Sequence, residues 1–241
     1  MKIGIMADVH GNLPALEAVM ADMKERGVDR IICLGDMVGG ANPKEALEIC
    51  RDVCDEIVRG NWEVALWEQS LLPEVERDEK AQWFIDAIGP EQVAYLGTLP
   101  HSREISLGGK LIRLFHAHPR PGNYTFYYGD SPGSDLLEFF DFCAESETKK
   151  AADMAIYAHI HFSYMRVIDG RQILNTGSVG VPLDGMPQAS YVILEGDSAL
   201  RVQFIRVPYD IEKAVAMATE RGIPDLEEQV FRLRNARASG G

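Results

Sequence analysis

Short apolar segments alternate with segments of helical period along the first half of this chain, and that alternation is what most restricts its fold. Lys2-Ile3-Gly4-Ile5-Met6-Ala7 reads as a strand, and residues 13–26 follow with Leu16, Val19, Met20 and Met23 at helical spacing. Pro14 suits the first turn of that helix and Gly27 its C-terminal stop. Arg30-Ile31-Ile32-Cys33-Leu34 is a second strand; Asn42-Pro43 opens a helix striped by Leu47, Cys50 and Cys54; Glu56-Ile57-Val58-Arg59 is a third strand. Strand, helix, strand, helix, strand predicts an α/β sheet. From Trp62 to about Leu99 the pattern is helical and longer than a plain connection requires, so a helical excursion is expected there. The second half turns β-rich. Gly108-Gly109, Asp169-Gly170 and Gly196-Asp197 each separate two strand-like runs and have the composition of hairpin turns. Helices over about 210–234 close the chain, and with no repeat or low-complexity linker one domain over 1–241 is expected.

Composition narrows the function classes. Apolar residues make up 46% of the 241, enough for a sizeable core, but 24 Lys and Arg stand against 37 Asp and Glu, a net charge of −13. An anionic surface repels polyphosphate backbones and acidic lipid, so stable nucleic-acid or membrane binding is not expected. No apolar run approaches the roughly 20 residues of a membrane helix, and Asp8 interrupts the N-terminal run before it reaches the length of a signal segment, which predicts a cytoplasmic protein. The four cysteines form no CxxC pair and are expected to act as small buried hydrophobes.

Chemistry gathers at the strand ends. Asp8 and His10 follow the first strand, Asp36 the second, Asn61 the third, His116 the strand over 111–115, and His159 with His161 the strand over 154–157. In α/β sheets ligands bind beyond the carboxyl ends of the strands, so these seven side chains should converge on one crevice. Singly, Asp8 reads as a helix cap, Asn61 as a turn residue and each histidine as a satisfied polar group. Their common position argues for a joint role. Imidazoles and carboxylates without thiolates suit Mn, Fe, Zn, Co or Ni, and seven ligands are too many for one catalytic ion. Two ions about 3.5–4 Å apart, bridged by a carboxylate, fit better and give a −13 chain the local positive charge a phosphate needs.

Asp8-Val9-His10, Gly35-Asp36, Gly60-Asn61, His116 and Ala158-His159-Ile160-His161 resemble the five ordered signature blocks of the calcineurin-like metallophosphoesterases. Residues 1–18 and Asn175-Thr176-Gly177-Ser178-Val179-Gly180 resemble the small bacterial and archaeal branch of that superfamily, and the likeness spans 1 to about 194. The resemblance implies a four-layer α-β-β-α sandwich of two mixed sheets flanked by helices. It implies Asp8, His10, Asp36 and His161 at one metal and Asp36, Asn61, His116 and His159 at the other, with Asp36 bridging. It also implies phosphoester hydrolysis by a metal-bridging hydroxide, with Asp36, Asn61 and His116 as catalytic residues and manganese as the first-choice ion ahead of iron, zinc, nickel or cobalt.

One block departs from the pattern. Where the family has Asn-His-Asp/Glu, this chain has Asn61-Trp62-Glu63, and an indole is no acid or base near neutral pH. General acid–base help is worth about 10²–10⁴-fold, so esters with poor leaving groups should suffer most. The expected substrate is therefore a small phosphodiester or an activated phosphoester; a dinucleoside polyphosphate, a phosphomonoester, or a weakly active scaffold are the alternatives. His118 is a candidate replacement acid, set against a plain surface-loop histidine. Trp62 is a candidate stacking platform or an anchor of the helical excursion. Asn12 is a candidate phosphate contact or a helix cap. Tyr124, Phe126, Tyr127 and Tyr128 are read as a substrate wall or as packing, and Arg59 as a weak candidate for steering phosphate. Ala117 and Ala158 stand where glycines are common and are small enough to be tolerated. Glu63, Glu68, Glu74 and Glu76 are read as a solvated charged face without a role. The oligomeric state stays open.

Overall fold

The computed structural model describes residues 1–197 and 199–239. Among these residues ten strands form two mixed sheets of five. The first has the order β10-β9-β1-β2-β3, built from β1 (Lys2–Met6), β2 (Arg30–Cys33), β3 (Glu56–Ile57), β9 (Ala189–Gly196) and β10 (Leu200–Val207). β1, β2 and β3 run parallel, and β9 pairs antiparallel with both β1 and β10. The second has the order β4-β5-β6-β8-β7, from β4 (Ser102–Leu107), β5 (Lys110–Phe115), β6 (Met154–Tyr157), β7 (Ser163–Ile168) and β8 (Arg171–Thr176). β5, β6 and β8 are parallel there, with antiparallel β4 and β7 at the edges.

The alternation of side chains along β1 explains the layering. Ile3, Ile5 and Ala7 point at the second sheet and bury against Ile112, Leu114, Met154, Ile156 and Leu174. Met6 points the other way, into the core under α1 (Leu13–Glu25) and α2 (Pro43–Val53). Gly4 lets α1 sit close: a Cβ there would lie 3.0 Å from the Met23 thioether. The outer face of the second sheet, with Phe115, Ala155, Tyr157 and Ile173, is covered by Leu136 of α6 (Gly133–Leu137) and by Phe139 and Phe140. The result is the expected four-layer α-β-β-α sandwich. The excursion consists of α3 (Asn61–Ser70), α4 (Glu79–Ile88) and α5 (Pro90–Leu96), and α7 (Ile211–Arg221) and α8 (Leu226–Asn235) close the chain. No helix among the described residues is long and apolar enough to cross a membrane.

Two expectations need adjusting. β3 is shorter than its apolar run because the chain peels away: Val58 N–H still donates to Cys33 O, but Arg59 N–H donates to Pro100 O, just before β4. Cys33 and Cys50 are buried as expected, whereas Cys54 and Cys143 are half-buried, and the Cys143 Sγ meets the Ser102 and Ser146 hydroxyls. The turns at Gly108-Gly109 and Asp169-Gly170 both have two consecutive positive φ values, which is the hairpin geometry their composition implied. The third predicted turn includes Ser198, outside the described residues.

Candidate metal centre

All seven strand-end side chains converge at the carboxyl ends of β1, β2, β3, β5 and β6. The backbone there is unusual. Among the described residues eight non-glycine positions have positive φ, and five of them are Asp8 (53°), His10 (43°), Asp36 (53°), His159 (71°) and His161 (60°). Such conformations cost free energy and persist only where surrounding bonds over-determine them. Here those bonds join one strand end to the next: Asp8 N–H to Gly35 O (3.0 Å), His10 N–H to Asp36 O (2.9 Å), Gly180 N–H to Asp8 O (2.9 Å) and Ala158 N–H to His116 O (2.8 Å).

The side chains fall into two clusters whose donor atoms lie within 4.8 Å of one another, Asp8 with His10 and His161, and Asp36 with His116 and His159. Ring orientation is set from behind. His116 Nδ1 is 2.8 Å from Leu34 O, and His161 Nδ1 is 2.6 Å from Val181 O, so each ring donates backward and turns the Nε2 lone pair into the centre. His159 is held the other way round, with Nε2 2.9 Å from Tyr124 O and Nδ1 left as its ligand atom. Asn61 Oδ1 lies 3.0 Å from His116 Nε2 and so joins the second cluster. Asp36 stands between the two: Oδ2 is 3.4 Å from His116 Nε2 and 3.7 Å from His10 Nε2, while Oδ1 accepts the Trp62 N–H at 2.9 Å.

These residues fit divalent cations on their own geometry. Asp8 Oδ1 is buried without a hydrogen-bond partner, 3.3 Å from His161 Nε2, and leaving a buried carboxylate oxygen unsatisfied is costly. His10 Nε2 and His161 Nε2 face each other at 3.2 Å, two ring nitrogens for which a shared cation is the natural partner. The electrostatics agree. Burial opposes protonation of His116, but the Asp36, Asp8 and Glu63 carboxylates override it and push its pKa up to about 10. Burial likewise opposes ionisation of Asp36, and His116 and His10 override it, holding its carboxyl far below the usual carboxylate range. At His10 burial prevails and pushes the pKa down to about 4. A centre that draws a proton onto one imidazole would also attract a divalent cation, which would take the place of that proton on His116.

Glu63 overturns the reading of a solvated face. Glu68, Glu74 and Glu76 are exposed, but Glu63 is fully buried. Its carboxylate accepts the backbone N–H groups of Asp36 (2.7 Å), Met37 (2.8 Å), Val38 (3.3 Å) and Gly60 (2.7 Å). It ties the end of β2 to the start of α3, fixing the two loops that carry Asp36 and Asn61. Burial and the Asp36 charge push its pKa up to about 7 against the pull of those N–H groups. An acid three residues after Gly60 is the capping-box spacing, the one local signal that could have found it.

The remaining candidates separate. Trp62 lies in the crevice, its ring edge-on to His10 at 5.6 Å and to Phe84 at 5.2 Å. Phe126 and Tyr128 line the same crevice, whereas Tyr127 packs on His118 and Phe139, and Tyr124 contributes its carbonyl to His159. Both polar ends of the Asn12 side chain are used locally: Oδ1 accepts Ala15 N–H at 3.2 Å, capping α1, and Nδ2 donates to Gly180 O at 2.8 Å. Arg59 reaches toward Glu145, at 3.8 Å, and is not part of the crevice. His118 is neither a surface histidine nor a crevice acid. It is buried on Phe139, its Nδ1 accepts Arg120 N–H, and it lines a separate cavity of about 360 Å³ with Glu138 and Cys143. Burial pushes its pKa down to about 4, so it is neutral near pH 7.

The crevice over the centre has a volume of about 440 Å³. Gly60 permits the approach of Asp36, since a Cβ there would sit 2.1 Å from Asp36 Oδ1 and 2.5 Å from its backbone nitrogen. Gly60→Ala is therefore expected to lower metal affinity about 10–100-fold, the usual range for a displaced ligand support, as read by metal content at buffered free Mn²⁺.

The sequence profile of the calcineurin-like phosphoesterase superfamily domain matches residues 1–199. An uncharacterized protein of Methanocaldococcus jannaschii is 29% identical over 248 aligned positions, covering 95% of this chain and 97% of that one. The crystal structure of a metallophosphoesterase from Sphaerobacter thermophilus superposes with a TM-score of 0.78 at 29% identity, covering 98% of this chain and 99% of that chain. A hypothetical protein of Pyrococcus horikoshii has the same fold, with a TM-score of 0.75, 19% identity and 99% of each chain covered. A profile match over residues 1–199, most of the chain, makes this protein a member of the calcineurin-like phosphoesterase superfamily.

Proposed function

We propose that this protein is a phosphodiesterase that holds two divalent ions, manganese first among them, and hydrolyses small phosphodiesters or activated phosphoesters. Asp8, His10, Asp36 and His161 would hold one ion, and Asp36, Asn61, His116 and His159 the other. When bound, such a pair supplies a water of lowered pKa as nucleophile and neutralises the anionic oxygens of the phosphate.

Trp62 carries the choice of substrate. It occupies the place of the family's motif histidine and stands in the crevice, edge-on to His10. The histidines that share the crevice, His10, His159 and His161, face the centre, Lys80 is paired with Asp225 and Arg232 with Glu228, which leaves the Tyr128 phenol as the one further O–H donor among the described lining residues. A leaving group must therefore depart with little protonation. A monoester dianion brings a further charged oxygen, and the indole offers it neither a proton nor a charge. A diester monoanion makes no such demand. The acidic exterior of the −13 chain favours a small ester over a long polyanion, and tight, salt-sensitive binding of long DNA or RNA would contradict this.

The test is hydrolysis of bis-(p-nitrophenyl) phosphate beside p-nitrophenyl phosphate with added Mn²⁺. Faster turnover of the diester is expected, and a strong monoester preference would overturn the reading from Trp62.

A further inference from the structure

Resting on that reading, we propose that the arm of the diester that stays on the phosphate is planar and uncharged, of the nucleoside or aryl class, and that arms carrying a second phosphate are rejected. One side of the wall that would meet this arm comes from outside the matched family domain. The profile ends at residue 199, yet Pro224, Asp225, Glu228, Gln229 and Arg232 line the crevice opposite the centre, with Lys80 of α4 beside them.

Charge on this wall cancels pair by pair. Lys80 Nζ lies 2.5 Å from Asp225 Oδ2, and Arg232 Nε lies 2.5 Å from Glu228 Oε1. Apart from His10, Asp36, His159 and His161 at the centre, the other residues lining the crevice carry no formal charge. Among the described residues, positive field for a phosphate would thus come from ions at the candidate metal clusters and from no unpaired cation elsewhere in the cavity. A second phosphate on this wall would meet Asp225 and Glu228 beside each cation, so the two cations offer it little net attraction.

The uncharged features of the wall suit a ring with neutral polar edges. Phe126 lies flat on His159, with centroids 4.8 Å apart and planes 4° apart, and is nevertheless 57% exposed. Tyr128 extends this aromatic surface at 6.3 Å. The Gln229 side-chain amide lines the cavity without a hydrogen-bond partner among the described residues, offering one donor group and one acceptor to a hydroxyl or a base edge. Stacking on an aromatic platform tolerates any planar ring, while the paired charges select against an ionised one.

Three esters with the same leaving group test this on the Mn²⁺-loaded enzyme: methyl p-nitrophenyl phosphate, thymidine 5′-(p-nitrophenyl phosphate) and its 3′-phosphorylated counterpart. The thymidine ester is expected to exceed the methyl ester in kcat/KM by about tenfold or more, and the 3′-phosphate to remove that advantage. Phe126→Leu should bring the thymidine-to-methyl ratio close to one. Asp225→Asn with Glu228→Gln frees both cations and should raise the 3′-phosphorylated ester about tenfold or more relative to the thymidine ester. A wild-type preference for the 3′-phosphorylated ester, or a thymidine-to-methyl ratio near one, overturns the proposal. Binding is read apart from turnover by tryptophan-fluorescence titration with the methyl ester of thymidine 5′-phosphate and its 3′-phosphorylated form. Tighter binding of the former supports the neutral arm, and tighter binding of the latter overturns it, whether or not any ester is hydrolysed. Failure to hydrolyse all three esters, by contrast, counts against the phosphodiesterase reading itself.

Discussion

Asp36→Asn is expected to lower kcat/KM for bis-(p-nitrophenyl) phosphate by about a thousandfold or more and to reduce bound metal from the proposed two ions per chain to one or none. The substitution looks conservative, but its orientation is dictated. The Trp62 N–H donates to Asp36 Oδ1 at 2.9 Å, so an asparagine must place its carbonyl oxygen there. Its NH₂ group then occupies the position of Oδ2, 3.4 Å from His116 Nε2 and 3.7 Å from His10 Nε2, where the two clusters meet. A hydrogen-bond donor would point at both cation positions in place of a shared anionic acceptor. The change also removes the leading source of the field that raises the His116 pKa to about 10. Metal content by plasma mass spectrometry, measured with turnover and circular dichroism, checks the prediction. A folded variant that kept two ions and more than a tenth of wild-type activity would show that Asp36 does not bridge.

Much of this centre was legible because its candidate ligands are local to strand ends. A short apolar run followed within a few residues by Asp, Asn or His states both the chemistry and, through the α/β topology, the place where it will be used. Glu63 was not legible in the same way, because its partners are backbone N–H groups of Gly60 and of residues 36–38, and the latter reach it only after β2 and β3 have paired. His118 shows the opposite failure: two residues from His116 in sequence, it is carried out of the centre when the chain curls and Arg120 N–H closes onto its Nδ1. The helices α7 and α8 were readable from their periodicity, but an amphipathic stripe says which face is buried and not against what. That α8 would furnish Gln229 and Arg232 to the crevice depends on contacts no local pattern encodes. The left-handed backbone of five candidate ligands is similarly a consequence of the closed hydrogen-bond network between strand ends, not of the residues themselves.

Far from the crevice, Glu104→Ala is expected to destabilise the fold by about 3–5 kcal/mol, the usual cost of leaving a buried charge without its partner. Glu104 on β4 stands directly opposite Arg113 on β5, and the Arg113 side chain is fully buried. Its guanidinium donates to Glu104 Oε1 from Nη2 (2.7 Å) and Nε (3.1 Å), to Phe140 O at 2.7 Å and to Lys150 O at 2.9 Å, while Glu104 Oε2 accepts Thr148 N–H at 2.9 Å. The pair therefore pins the segment over 138–152 onto the outer face of the second sheet. Removing the carboxylate leaves a guanidinium with two carbonyls and no counter-charge; replacing both residues, as in Glu104→Leu with Arg113→Met, removes the uncompensated charge and should recover most of the loss. The sign of the pH dependence follows. Burial opposes ionisation of Glu104, but Arg113 and Thr148 outweigh it and hold its pKa below the ordinary value. Its contribution is thus complete above the unfolded pKa of about 4.3 and is lost as the pH falls through the lower folded value. Urea midpoints at pH 7 and pH 3 should show a large acid loss in the wild type and a smaller one in the double variant. Because neither residue lines the crevice, kcat/KM of the folded double variant should match the wild type, and a drop in activity at unchanged stability would mean that the 138–152 segment reaches the site by a route other than this ion pair.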